Sequence, residues 1–89
     1  MPYITQKDRE KYDEQINDIV ETLPNGNDNM VGELNYVISS IMKRYMDTHG
    51  EKYARYNALF GALNCAGREF YIRFVRPYED KAIEKNGDI

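Results

Sequence analysis

Three stretches of this chain place apolar residues at every third or fourth position, and no stretch alternates apolar with polar residues long enough to form a strand. That periodicity confines the fold to helices. Thr5 is a good N-cap with Asp8 three residues on, and Tyr12, Ile16, Ile19, Val20 and Leu23 then form one narrow stripe, which predicts a helix over 6–23. Pro24 to Asn29 is dense in turn formers. The second helix is expected over 30–47, with a broad stripe of Met30, Val31, Leu34, Val37, Ile38, Ile41, Met42 and Tyr45. Residues 48–57 read as a connector, opened by a C-capping Gly50 and closed by Asn57 as cap of the third helix, 58–76. On that helix Leu59, Leu63, Phe70 and Phe74 share a face, with Phe60 at its edge. Pro77 cannot donate a helical hydrogen bond but can begin a new turn, so a short helix is expected over 77–86, either kinked from the third or separate, and ended by Asn86-Gly87. The expectation is an all-α, compact bundle of three main helices and a short C-terminal one, in a single domain over 1–89. Its core should hold Leu34, Ile38, Ile41, Leu63, Phe70 and Phe74.

A chain of 89 residues buries only about 60–65% of the surface that its unfolded form exposes. Its own stability is therefore modest unless a partner adds to it. With 42% hydrophobic and 30% charged residues, the composition is that of a folded chain and not of a disordered one. No apolar run approaches the roughly 20 residues that a membrane span needs. The opening residues Met1 to Asp8 lack the basic start and apolar run of a signal peptide, so the expected address is the cytoplasm. Cys65 is the only cysteine, which excludes an internal disulfide, and His49 is the only histidine. One Cys and one His do not complete the usual tetrahedral zinc site. No metal and no cofactor is expected.

Three surfaces merit weighing. Ala58, Gly61, Ala62 and Cys65 form a strip of small side chains roughly 150° around the third helix from its apolar face. Such a strip lets a neighbouring backbone come close, either within the chain or in a second copy. Tyr36 breaks onto the polar face of the second helix near Ser40 and Lys43, a candidate partner surface. The net charge of −3 is unevenly spread: residues 1–42 carry −5, residues 43–76 carry +4 and the tail −2. Lys43, Arg44, Lys52, Arg55, Arg68, Arg73 and Arg76 make a candidate basic patch, with Tyr53 and Tyr56 available to stack on bases. Glu51, Glu69 and the acidic flanks interrupt it, as a solvated helix face would. His49 reads as a solvated or capping residue and Cys65 as a packing residue. Gly61 and Gly67 sit inside a helix and cradle no phosphate, and no catalytic motif emerges.

The run Val31-Gly32-Glu33-Leu34-Asn35-Tyr36-Val37-Ile38 resembles a family of short proteins of unknown function from bacteria and their phages. Gly61-Ala62-Leu63, Glu69-Phe70-Tyr71, Pro77-Tyr78-Glu79-Asp80-Lys81 and Asn86-Gly87-Asp88 extend the resemblance in the same order over nearly the whole chain. Asn64 departs from it, standing where an acidic residue is expected. The resemblance implies a standalone product of a bacterial, phage or mobile-element gene, and it carries no activity and no functional residue with it.

The reading favoured at this level is a small non-catalytic module that binds protein, either itself or a host protein. The alternative is a nucleic-acid-binding accessory protein that uses the basic segment 43–76. The negative net charge disfavours that alternative, and no membrane partner is expected.

Overall fold

A computed structural model describes residues 4–89, so residues 1–3 of the expected single domain lie outside the described residues. Among the described residues the chain is helical without strands, as the periodicity requires. The helices are α1 (Gln6–Thr22), α2 (Asn27–His49), α3 (Tyr53–Phe70) and α4 (Arg76–Asn86), and a π turn, Tyr71–Val75, joins the last two. From Tyr53 to Asn86 the backbone is thus one joined helix of 34 residues. The chain divides into two compact units, one ending at Lys43 and the other beginning at Arg44.

Local chemistry explains most boundaries. In the first unit, the Thr5 hydroxyl accepts from the Asp8 backbone N–H at 3.2 Å, which satisfies one of the orphan donors at the start of α1. Leu23 closes that helix by donating to the Ile19 carbonyl, and Pro24 follows. Helix α2 begins at Asn27, three residues earlier than its apolar stripe suggests. Met30 already donates to the Gly26 carbonyl at 2.9 Å, and Asp28 in the first turn complements the helix dipole. Beside this junction Ile19, Leu23 and Val37 line a small open cleft with Asp18, Thr22 and Glu33.

The second unit departs further from expectation. Gly50 ends α2 as expected, at φ 95° with its N–H on the Met46 carbonyl. The connector then stops at Lys52 instead of running to 57, and Asn57 lies inside α3 and caps nothing. Two interactions account for the early start. Tyr56 N–H donates to the Lys52 carbonyl at 3.0 Å. The Arg55 guanidinium reaches back to the last carbonyls of α2, at 2.8 Å from that of His49 and also bonded to that of Gly50. One cation thereby satisfies acceptors that a helix C-terminus leaves open. The hydroxyl of Tyr56 adds a bond to the Glu51 carboxylate at 2.7 Å.

At Pro77 the helical backbone does not break, since the π turn Tyr71–Val75 leads directly into α4. Arg76 N–H donates to the carbonyl of Tyr71, five residues back, so the turn before the proline is one residue wider than an α turn. A wide turn at this place accommodates a ring that would otherwise press on the carbonyl four residues earlier. Gly87, at φ 84°, ends α4 by donating to the Ile83 carbonyl.

The expected core needs correction. Of its six members Leu34 and Ile38 are half-buried, while Ile41, Leu63, Phe70 and Phe74 are exposed. Met46, at 5% exposure, is the one residue buried among those described. The apolar stripes exist as the sequence predicts, and their residues are half-buried or exposed except Met46.

Candidate interaction surface

The joined helix carries several of the large exposed apolar side chains, Leu63, Phe70, Phe74 and Tyr78 among them. At about 100° per residue, Leu59, Leu63 and Phe70 lie within a narrow arc of α3. Beyond Phe70 an unbroken α-helix would carry positions 74, 78 and 82 steadily away from that arc, by about 40° every four residues. The π turn cancels most of this drift, since a wider turn keeps residues four apart more nearly in line. Phe70 and Phe74 accordingly lie ring beside ring, with centroids 5.6 Å apart. A second contact confirms the alignment. The Tyr71 hydroxyl lies 3.3 and 3.5 Å from the two carboxylate oxygens of Glu79, eight residues on. Residues eight apart in an unbroken α-helix sit about 80° apart around the axis, so this contact depends on the wide turn.

The outcome is a stripe of Leu63, Phe70, Phe74 and Tyr78 facing water. Phe70 is 60%, Phe74 59% and Tyr78 74% exposed. Tyr71, Ile72 and Ile83 add exposed apolar surface on neighbouring sides. Sequence alone leaves the continuation of the stripe into α4 open, because Pro77 is compatible with a kinked helix or with a separate one. The signal was present in the 4-residue spacing of Phe70, Phe74, Tyr78 and Ala82.

Of the small strip, Ala58, Ala62 and Cys65 are exposed and Gly61 is half-buried. A Cβ built on Gly61 would meet nothing within 4 Å, so no backbone approaches there. Cys65 is a free, exposed thiol. Ala58 does line an open cleft at the α2–α3 turn with Tyr45, Lys52, Ala54, Arg55 and Leu59.

On α2, Tyr36 is 66% exposed and Ser40 half-buried. Lys43 is exposed and engaged in an interaction of its own. Among the basic residues Arg44, Lys52, Arg68, Arg73 and Arg76 are exposed. Arg55 is half-buried and bonded to backbone carbonyls, and the Arg73 guanidinium lies 5.8 Å from the Phe74 ring centroid. His49 stacks on Tyr45 with centroids 4.3 Å apart. Among the described residues no three His, Cys, Asp or Glu side chains are grouped to hold a metal ion. Nor is any helix among the described residues long and apolar enough to cross a membrane.

No curated protein and no solved structure matches the chain. A family model does match, over residues 1–89: its description is Domain of unknown function (DUF6899).

Proposed function

The chain belongs to that family of domains of unknown function, and from this premise we propose that it is a small non-catalytic protein-interaction module. The observation that supports the reading is the aromatic stripe on α3 and α4. Phenylalanine and tyrosine side chains held half or more in water on a rigid helix are the material of interface anchors, because aromatics supply large contact area at low entropic cost. A contiguous apolar face of this kind marks a binding surface. We further propose a cytoplasmic accessory protein from a bacterial, phage or mobile-element gene, on the strength of the resemblance noted above.

Nucleic-acid binding through the basic segment has weaker support. Arg55 is occupied in closing α2, Tyr56 is bonded to Glu51, and Arg73 lies beside Phe74. Phosphate binding needs cations that are free to turn outward.

A photo-reactive phenylalanine analogue in place of Tyr78, in cells making the full chain, tests the reading. Cross-links to polypeptide, whether self or foreign, are expected. Cross-links to nucleic acid alone, or none at all, would refute it.

A further inference from the structure

The turn between α2 and α3 holds a cleft that is separate from the aromatic stripe. Tyr45 comes to it from the last turns of α2, and Lys52, Ala54, Arg55, Ala58 and Leu59 come from the connector and the start of α3. All of them lie in the second unit. The cleft has a volume of about 350 Å³, toward the lower end of the roughly 300–1,000 Å³ of small-molecule sites. Its space follows from the sequence. Ala54 and Ala58 are neighbours on one side of α3, and a methyl group at both positions leaves a hollow that longer side chains would fill. The Tyr45 ring, packed on that of His49 with centroids 4.3 Å apart, supplies an aromatic wall.

The charges that line the cleft have one sign. Lys52 and Arg55 reach it, and no carboxylate does. Glu51, next to Lys52 in the chain, accepts from the Tyr56 hydroxyl at 2.7 Å. Among the described residues the Lys52 ammonium makes no ion pair. The hydrogen bonds of Arg55 to the carbonyls of His49 and Gly50 both run through Nη1, and a guanidinium has further donors at Nε and Nη2.

We propose that this cleft binds a small organic carboxylate with an aromatic or branched apolar body. Tyr45, Ala54, Ala58 and Leu59 cover the body, and Lys52, with Arg55 beside it, pairs with the carboxylate. One ammonium without an ion pair and one partly used guanidinium suit a single negative charge better than the two of a phosphate ester. The apolar lining gives an inorganic anion nothing to bury. The site goes beyond the interaction-module reading and stands or falls apart from it.

Titration of the isotope-labelled full chain with phenylacetate, followed by backbone amide shifts, tests the proposal. The amides of Lys52, Ala54, Arg55, Ala58 and Leu59 should shift together and saturate, with a dissociation constant on the order of 1 mM for so small a ligand in an open site. Phenylacetamide keeps the ring and loses the charge, and it should bind at least threefold more weakly. Lys52→Gln should weaken phenylacetate about three- to fivefold, the range of an exposed ion pair, and leave phenylacetamide unchanged. Ala54→Leu should fill the cleft and abolish saturation by both.

Shifts that do not saturate by 20 mM overturn the proposal. So do equal affinities for phenylacetate and phenylacetamide, or the same shifts from inorganic phosphate at equal concentration. If Ala54→Leu loses its helical signal, Lys52→Gln decides, and an unchanged phenylacetate affinity in that variant overturns the site. N-acetylglycylphenylalanine, with its free C-terminal carboxylate, separates two sources of the same chemistry. Tighter binding than phenylacetate assigns the cleft to the end of a peptide, and equal or weaker binding assigns it to a free acid.

Discussion

Replacing Pro77 with alanine should act in opposite directions on the lone helix and on the surface that it presents. Pro77 has no N–H to offer the Arg73 carbonyl, and the wide turn over Tyr71–Val75 precedes it directly. Alanine at 77 can make the missing bond, and it gains the propensity difference of about 3 kcal/mol that separates proline from alanine in a helix interior. Pro77 sits in the first turn of α4, where proline is best tolerated, so a gain nearer 1 kcal/mol is expected. Conversion of the wide turn to an α turn over the same number of residues turns α4 by roughly a quarter turn relative to α3. Tyr78 then leaves the line of Phe70 and Phe74, and Tyr71 parts from Glu79. Circular dichroism melts should show equal or higher helical stability. Nuclear Overhauser contacts between the Tyr71 ring and the Glu79 side chain should disappear, and association through the stripe should weaken at least tenfold. Persistence of the Tyr71–Glu79 contact in Pro77→Ala would refute the reasoning, because the wide turn would then owe nothing to the proline.

Four further substitutions test the helix ends. Gly50→Ala puts a side chain at φ 95°, and the new Cβ meets only an ordinary contact, 3.8 Å from an Arg55 nitrogen. The loss in chemical denaturation should be about 1–2 kcal/mol and come from the backbone alone. Arg55→Ala opens the carbonyls of His49 and Gly50 to water; charged hydrogen bonds contribute about 1.5–3 kcal/mol, reduced here to about 1 kcal/mol because the side chain is half exposed. Thr5→Ala should cost about 1 kcal/mol and speed amide exchange in the first turn of α1. Asn57→Ala should instead stabilise by up to about 0.7 kcal/mol, since Asn57 lies inside α3, and a loss at that position would restore it as a cap.

The helix ends that proved legible are those where one residue type has one physical use. Thr5 accepts from Asp8, and Gly50 and Gly87 take the positive φ that other residues avoid. The start of α3 was illegible because Tyr53 to Asn57 is mixed in polarity, and its helicity depends on Arg55 reaching back across the turn. A periodicity of 100° per residue also cannot register a wide turn, so the alignment of Tyr78 with Phe74 emerges only from the backbone. The apolar stripes were read correctly as stripes. That Ile41, Leu63, Phe70 and Phe74 stay exposed is not legible in the sequence, because a helical pattern marks an apolar face and leaves open what covers it.

That last distinction links fold and function. In a chain that buries its own core, binding and stability are separate quantities. Here Phe70, Phe74 and Tyr78 remain in water in the single chain, and covering one large side chain is worth about 1.5–3 kcal/mol. A handful of such residues amounts to a large part of the 5–15 kcal/mol by which domains are usually stable. If a second copy covers the stripe, it contributes to folding as much as to recognition, and by mass action stability depends on protomer concentration. Substitutions on the stripe and dilution of the wild type then move the melting temperature in the same direction. Substitutions on the small strip do not.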